Sequence, residues 1–410
     1  MLSPMHAGAL RPEHERYARV EGLRLGGVPV EPEWIPYGAG DPRPPEILAG
    51  FGLLELEYAA FRRGAALLDQ SHRATLAVRG ADRIEFLNRM VTQELKGMSA
   101  GDVRAGFLLN RKGRIEADLL FIEPPAPEGA EAVTLVDVDV HDAARTVEQL
   151  RAMVFSEDVR IDDESGSWAR IAVHGPASAD LLARAGAPVE AIEAVSADLR
   201  CARCTIDGVA AVLARRDEAG SPGVHVLVPH GEAARAWDAL VSQVDPDEGG
   251  RRRARPAGWH AFNIARIEAG TPIFHVDFGP ESLPHETGLL DARVSFRKGC
   301  YPGQEVVARM QSLGKPKQRV VALRIAEDAL PVAGSPVFEQ GADGSTGSPV
   351  GTVTSSTLAP MLGALPVAFA MVRTSSAAPG TVLAVPAEGG RTSAAVQESL
   401  RFLPAGTAGA

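Results

Sequence analysis

Apolar residues recur along the first two-thirds of the chain at spacings that alternate between helix and strand. A segment beginning near Leu53 has spacings compatible with one apolar helical face, with Gly64 interrupting or ending the helix. The residues of this face are Leu53, Leu56, Ala60, Leu67 and Leu68. Further strands are predicted at 75–78, 106–109, 115–122, 133–138, 169–174, 210–214 and 224–228, and helices at 82–95, 142–154, 177–185 and 232–241. The repeated order of these elements predicts two successive split β-α-β units.

The helical spacing ends beyond Lys317, where short apolar runs such as VVALRI, VGTVTS and VAFAMV lie between clusters of Gly, Pro and Ser. Such runs predict a small antiparallel β-barrel. The first fifty residues are rich in Pro and Gly, which predicts an extended arm. The predicted fold is therefore α+β, with an arm at 1–50, a discontinuous first α+β domain at 51–165 and 250–316, a second at 166–249 and the barrel at 317–405.

Composition excludes several classes of partner. The 410 residues carry a formal net charge of -10, whereas nucleic-acid and membrane-surface binders need clustered positive charge. The three cysteines are too few for a disulfide framework, and no apolar stretch approaches the length of a membrane-spanning helix. Because the N-terminal segment also lacks the apolar core of a signal peptide, we expect a cytoplasmic protein without nucleic-acid or membrane partners.

The segment KGCYPGQEVVAR, residues 298–309, surrounds a cysteine with turn-forming residues before a strand-like run. Gly299 and Gly303 permit a tight turn that would present Cys300 to solvent. Lys298 and Arg309 would favour the thiolate, which is the reactive form of the side chain. The alternative from spacing alone is a small buried apolar residue, which is the commoner role of a free cysteine.

This segment resembles the signature of the YgfZ family of folate-binding iron-sulfur-cluster proteins, which is related to the aminomethyltransferase T-protein of the glycine cleavage system. The segments LLDQSHRATLAVRG and LLNRKGRIEADLL resemble two further stretches of that family, and the resemblance extends from about Leu53 to Val396. It implies a three-domain cloverleaf with a folate pocket near its centre, tetrahydrofolate as cofactor, and iron-sulfur enzymes or cluster-assembly proteins as partners.

The resemblance also implies site residues. Asp118 matches the aspartate that contacts the reactive nitrogen region of folate in aminomethyltransferases. Strand alternation would place Asp118 and Glu116 on one polar face, although an edge strand facing solvent gives the same pattern. The predicted catalytic residues are Cys300 and Asp118, and the predicted cofactor-binding residues are Asp118, His225, Arg266, Gln304, Glu305, Lys298 and Arg309. Gln304 and Glu305 could instead bond backbone amides of their own loop.

Four positions depart from the transferase pattern. His225 stands where a glutamate would hold the pterin ring, and an imidazole cannot reproduce the two parallel hydrogen bonds of a carboxylate. Phe262 and Asn263 replace an Arg-Asp pair, while Arg266 and Glu268 are retained, and Ala105 replaces a tyrosine. These departures favour a relative of the transferases that has kept their fold but has a different function.

Other candidate motifs are weaker. Cys201 and Cys204 have a C-x-x-C spacing, which without further ligands favours a solvent-near coincidence, although three cysteines could share a cluster if the fold joined them. The run RRRAR at 251–255 could bind phosphate or a polyglutamate tail, but a solvated linker is the simpler interpretation. His72 could orient a ligand or bond a backbone carbonyl. Asp343 begins a hairpin turn rather than a metal loop.

Three functions follow as hypotheses. The first is a tetrahydrofolate-binding, YgfZ-like protein of iron-sulfur cluster assembly or repair that uses Cys300. The second is a folate-dependent aminomethyl- or methyltransferase in which Asp118 positions the cofactor. The third is a binding scaffold that has lost folate.

Overall fold

The computed structural model describes residues 8–25, 27, 30–38, 44–244, 254–327, 329–387 and 390–404. Its α-helices are α1 (Arg11–Arg24), α2 (Leu54–Arg63), α3 (Arg83–Met90), α4 (Ala143–Arg151), α5 (Ser178–Arg184), α6 (Val189–Ala194), α7 (Ala233–Val241), α8 (Trp259–Ala269), α9 (Leu290–Arg293) and α10 (Gln304–Leu313). None of these described helices is both long and apolar enough to cross a membrane.

The described strands form four sheets. They are β1 (Glu33–Pro36), β2 (Glu46–Gly50), β3 (Ala65–Asp69), β4 (Arg73–Arg79), β5 (Asp102–Leu109), β6 (Ile115–Glu123), β7 (Val133–Asp139), β8 (Arg160–Asp163), β9 (Trp168–His174), β10 (Cys201–Ile206), β11 (Val209–Arg215), β12 (Gly223–Pro229), β13 (Ala254–Pro256), β14 (Gln318–Ile325), β15 (Pro336–Gln340), β16 (Thr346–Ala359), β17 (Leu365–Arg373), β18 (Val382–Ala387) and β19 (Gly390–Val396). Strands β1 and β2 form an antiparallel pair of their own.

The first large sheet has five antiparallel strands in the order β5-β6-β7-β4-β8. Helices α3 and α4 cover one face, where Leu87 and Leu150 are buried in a shared apolar cluster. In β6 the buried residues alternate with the half-buried Glu116 and Asp118 as far as Leu119. The predicted alternation in this strand is therefore confirmed, and it places Asp118 on the polar side.

The second large sheet has six strands in the order β10-β11-β12-β9-β3-β13. Helices α5 and α7 cover one face, with Trp237 at the centre of the core. The other face contributes to an apolar cluster that Val212 and Leu227 share with Val103 and Leu120 of the five-stranded sheet. The two large sheets are thus joined by a common core.

Segments from both predicted α+β domains share the six-stranded sheet. Strand β3 pairs antiparallel with β9, and β13 pairs in parallel with β3, although the prediction assigned both strands to the first domain. The predicted helix from Leu53 ends at Arg63, so Leu67 and Leu68 lie in β3 rather than on its apolar face. Gly64 follows the helix and permits the change to an extended chain. The domain boundaries themselves stay a prediction.

The C-terminal strands close into a barrel in the order β14-β17-β16-β15-β18-β19. Its interior is apolar, with Leu323, Val337 and Val353 fully buried. The predicted α+β fold with a C-terminal antiparallel barrel is confirmed.

The prediction of an extended N-terminal arm is wrong for residues 11–24, which form α1. Pro12 lies in the first turn, where its missing amide hydrogen costs no helical bond. The helix buries Tyr17 in a cluster with Phe51, and Glu21 forms an ion pair of 2.9 Å with Arg255. Arg255 is thus part of the packed structure, whereas 251–253 of the RRRAR run lie outside the described residues.

The strand-like run that ends the cysteine motif is also a helix, α10. Gly303 precedes it with φ of 78°, a left-handed conformation that glycine adopts without strain. A Cβ atom at this position would lie 2.5 Å from the Asn110 carbonyl oxygen. The glycine therefore lets the motif lie close against the turn between β5 and β6.

Candidate functional site

A cleft lies where the two large sheets meet α8 and the segment after it. The space in it that is open to a water molecule is about 40 Å³, and the volume free of protein atoms is about 540 Å³ when the solvent at its mouth is included. Asp118 and Asp137 line it from the five-stranded sheet, His225 lines it from the six-stranded sheet, and Phe262 lines it from α8. Two predicted site residues, Asp118 and His225, are therefore brought to one cavity.

Asp118 is held by an arginine that the sequence did not reveal. Arg293 Nε donates to Asp118 Oδ1 at 2.7 Å, and Arg293 Nη2 lies 3.5 Å from Asp118 Oδ2. Because Arg293 lies 175 residues further along the chain, in the short helix α9, no local spacing connects the two side chains. The pair presents an oriented carboxylate at the cleft wall.

Asp137 is the centre of a buried ion cluster. Its Oδ1 accepts from Arg73 Nε at 2.8 Å, and its Oδ2 forms an ion pair with Arg170 and lies 3.7 Å from Arg216 Nη1. Burial alone would raise the pKa of Asp137, but the Arg170, Arg73 and Arg216 cations hold it well below its usual range. The wall of the cleft is therefore charged at neutral pH.

His225 meets a carboxylate that lies outside its own strand. His225 Nε2 and Glu218 Oε2 are 3.1 Å apart, and Arg216 Nε lies 2.7 Å from Glu218 Oε1. Burial opposes ionisation of Glu218, but Arg216 and His225 outweigh it and keep the pKa of Glu218 well below its usual range. A carboxylate thus stands beside the position where the resemblance expected one, and it comes from the loop before β12.

Arg266 and Lys298, predicted to bind cofactor, instead bond to the protein around them. Arg266 is fully buried and donates from Nη1 to Asp277 Oδ2 at 2.6 Å and from Nη2 to Ser355 Oγ at 2.6 Å. Lys298 Nζ donates to three carbonyls, including that of Gln93 at 3.0 Å, and burial lowers the pKa of Lys298 to about 8. Their hydrogen bonds give both residues a structural role.

The other residues predicted from the cysteine motif do not line the cleft. Arg309 and Glu305 form an exposed ion pair of 2.9 Å along α10, and Gln304 is the first residue of that helix. Cys300 is exposed, as predicted, but it is absent from the described lining that contains Asp118. The two predicted catalytic residues, Cys300 and Asp118, are therefore not both in the described lining of this cleft.

The departures from the transferase pattern also have defined positions. Phe262 lies in the cleft wall, whereas Asn263 orients Arg266 through a hydrogen bond of 2.9 Å to Arg266 Nε. Ala105 is buried in the core between the two large sheets. Of the substituted positions, His225 and Phe262 are thus the two that line the cavity.

Cys201 and Cys204 point to opposite faces of β10, because residues three apart on a strand alternate sides. Cys201 packs in the core between the sheets, and Cys204 packs against the core beneath α7. Burial raises the pKa of Cys201 to about 12 and that of Cys204 to about 11. The expectation that these cysteines lie near solvent is wrong for Cys201, and no described group of three possible metal ligands includes a cysteine.

Native protein is expected to react rapidly with a maleimide at a single thiol. Cys300 is exposed, whereas Cys201 is buried and Cys204 is half-buried. Peptide mass mapping should place the label on Cys300, and Cys300→Ser should abolish the rapid phase. Rapid labelling of Cys201 in folded protein would contradict this arrangement, while denatured protein should react at all three cysteines.

His72 lies at the edge of the cleft between two aromatic rings. Its ring centroid lies 4.9 Å from that of Tyr37 and 5.7 Å from that of Trp259. Burial, with help from the Arg73 cation, lowers the pKa of His72 to about 4. The side chain is therefore neutral at neutral pH.

This burial predicts an acid sensitivity. Because an unfolded histidine has a pKa of about 6.5, the unfolded state binds the proton first as the pH falls. Between about pH 7 and about pH 5, His72 should remove about 2 kcal/mol from the free energy of unfolding. Urea titrations of wild type and His72→Gln at both pH values measure this, and equal pH dependence of the two proteins would contradict it.

Comparison with known proteins places the chain in a family. Residues 49–298 match the GCVT N-terminal domain, and residues 318–402 match the glycine cleavage T-protein C-terminal barrel domain. The chain therefore belongs to the glycine cleavage T-protein family.

Relatives agree with this assignment, and a solved structure agrees with the fold. The chain is 28% identical over 342 residues to a probable aminomethyltransferase of Halobacterium salinarum, covering 82% of this chain and 86% of that one. It is 28% identical over 335 residues to an aminomethyltransferase of Saccharopolyspora erythraea, covering 81% and 85%. The crystal structure of the glycine cleavage system aminomethyltransferase T from Bartonella henselae has a TM-score of 0.79 at 22% identity, covering 97% of this chain and 98% of that one, and it supports the fold alone.

Proposed function

We propose that this chain binds tetrahydrofolate in the cleft and acts as a folate-dependent aminomethyl- or methyltransferase. The observation that carries the proposal is the Asp118–Arg293 pair, which presents an oriented carboxylate inside the cavity. A carboxylate in this position can hold an amine nitrogen or accept its proton during transfer of a one-carbon unit. The aminomethyltransferases similar to this chain support the same reaction class.

The opposite wall offers groups suited to a pterin ring. Glu218 is an acceptor for ring N–H groups, and the His225 imidazole beside it can donate or accept. Phe262 supplies an apolar surface against which a flat ring can stack. Glu218 thus compensates for the missing glutamate of the resemblance, because it restores a carboxylate beside His225.

Calorimetric titration with tetrahydrofolate tests the binding half of this proposal. Wild type should bind, and Asp118→Asn should bind about 10- to 100-fold more weakly, since a hydrogen bond to a charged group contributes about 1.5–3 kcal/mol. Glu116→Gln is the matched control, because Glu116 lies on the same strand face but bonds Gln149. Absence of binding by wild type would refute the proposal and favour the folate-free scaffold.

Product analysis tests the transfer half. Wild type should be incubated with tetrahydrofolate and each donor of a panel of methylated amines and aminomethyl compounds. We expect methylene- or methyltetrahydrofolate as product, formed at a much lower rate by Asp118→Asn. Binding without product across the panel would remove the transferase assignment while leaving folate binding intact.

The exposed thiol favours a second candidate, a YgfZ-like role in iron-sulfur cluster assembly or repair. Cys300 lies in the complete KGCYPGQE motif and faces solvent, where a client protein can reach it. In cells, Cys300→Ala should then lower the activity of iron-sulfur enzymes while leaving folding unchanged. Unaltered activity of these enzymes in the variant would exclude this role for the thiol.

A further inference from the structure

We infer that His174, His225 and Glu218 form a binding site for a divalent metal ion such as zinc, beside the part of the cleft that His225 and Glu218 line. Each residue offers one ligand atom, and the three atoms lie within 4.8 Å of one another. Two imidazoles and a carboxylate form a donor set that binds zinc and leaves a fourth position open.

Strand pairing explains why the two histidines meet. In the register of β12 against β9, Gly223 lies opposite His174 and His225 lies opposite Ala172. His174 and His225 are therefore diagonal neighbours on the same face of the six-stranded sheet. Their ring centroids are 6.0 Å apart, and the ring planes are nearly perpendicular at 86°.

His174 is the residue that points to a ligand. It is fully buried, and neither Nδ1 nor Nε2 has a hydrogen-bond partner among the residues that the structure describes. A buried imidazole without partners loses its hydration and gains nothing in return, which is uncommon in folded proteins. A bound ion would satisfy one of these nitrogens.

The surroundings of His174 shape the site. The ring is stacked against Phe61 with centroids 6.0 Å apart and lies 5.9 Å from that of Phe262, so apolar groups exclude water around it. A Cβ atom at position 223 would lie 2.3 Å from His174 Nδ1. Gly223 is therefore required for the ring to occupy this position.

The geometry approaches that of a coordinated ion. In a tetrahedral zinc site with bonds of about 2.0–2.1 Å, adjacent ligand atoms are separated by about 3.3 Å. His225 Nε2 and Glu218 Oε2 already lie 3.1 Å apart, and the third donor, within 4.8 Å of both, needs to approach by at most about 1.5 Å. Arg216 holds the other oxygen of Glu218 and orients the carboxylate.

The charge around the site indicates which fourth ligand the metal ion would take. Arg170 and Arg216 both act on His225 through space, and Asp137 offsets only part of their charge. We therefore expect the fourth position to take an anionic group such as hydroxide or a carboxylate. Glu218 and His225 line the cleft, which gives the ion and this fourth ligand a route from solvent.

Zinc titration of metal-stripped full-length protein, without folate, tests the inference. One Zn²⁺ per chain should bind with a dissociation constant below about 10 μM. X-ray absorption of the zinc-loaded protein should show imidazole scattering, and the Co²⁺ derivative should have the intense visible bands of tetrahedral coordination. His174→Ala and Glu218→Gln should each weaken binding by at least about 10-fold.

The matched control is His275→Ala. His275 belongs to the other described group of possible metal ligands, with Asp139 and Asp142, and lies 2.7 Å from Asp142 Oδ2. This variant should bind zinc as wild type does. Wild-type affinity of about 10 μM or weaker, or loss of binding in His275→Ala alone, would overturn the assignment.

Circular dichroism shows whether each variant has folded. If His174→Ala fails to fold, Glu218→Gln and the wild-type absorption spectra still decide the question. Zinc would occupy Glu218 and His225, which the folate proposal assigns to the pterin ring, so zinc binding would remove those pterin contacts. Because folate is absent from these experiments, failure to bind zinc would leave the folate proposal untouched.

Discussion

Replacing Arg266 with alanine should lower the free energy of unfolding by about 3–5 kcal/mol, because the change strands a buried carboxylate. Arg266 and Asp277 are both fully buried, and their ion pair is 2.6 Å long. The guanidinium also bonds the Thr271 carbonyl at 3.1 Å and Ser355 Oγ at 2.6 Å. Since Ser355 belongs to β16, the same side chain joins α8 to the barrel.

Urea unfolding measures this loss, and Arg309→Ala is the matched control. Arg309 forms an exposed ion pair with Glu305, which is expected to contribute less than about 0.5 kcal/mol. Equal stability of the two variants would show that the buried network is dispensable. A larger denaturant slope in Arg266→Ala than in wild type would indicate a change in the surface exposed on unfolding.

The sequence predicted those parts of the fold that local spacing determines. The alternation of Ile115, Ala117 and Leu119 with polar residues specified both the existence of β6 and the side on which Asp118 lies. The short runs beyond Lys317 likewise specified barrel strands, because their turn residues mark each end. Both predictions depend only on residues that are close together in the sequence.

Helices α1 and α10 were missed for a different reason. The Pro and Gly content of the first fifty residues obscured the uninterrupted run from Glu13 to Arg19, and β-branched Val306 and Val307 suggested a strand. Tertiary contacts override these local signals, since α1 buries Tyr17 and α10 buries Val307. Burial of this kind is not visible in local composition.

The candidate site could be predicted only in part. Asp118 and His225 were identified through a family resemblance, and both line the cleft. Arg293, Glu218 and His174 were not, because each comes from a separate element and no sequence spacing connects them. Lys298 was predicted to bind cofactor because it belongs to the cysteine motif. In the structure it bonds three backbone carbonyls.

Asp137→Asn should be the second strongly destabilising change, with a loss of about 3–5 kcal/mol. The substitution keeps the shape of the side chain but removes the one charge that Arg73, Arg170 and Arg216 share. Arg170 is buried, so its cation would be left without its carboxylate partner in a medium that solvates it poorly. The three guanidinium groups would then repel one another at the cleft wall.

Asp162→Asn is the control for this change, because Asp162 is half exposed and lies 3.8 Å from Arg79. It should cost less than about 1 kcal/mol, as surface ion pairs do. Urea unfolding at low and at high salt distinguishes the two sites, since added salt screens exposed charges much more than buried ones. Equal stability of Asp137→Asn and Asp162→Asn would contradict this prediction. It would mean that solvent reaches the arginine side chains and stabilises their charges without Asp137.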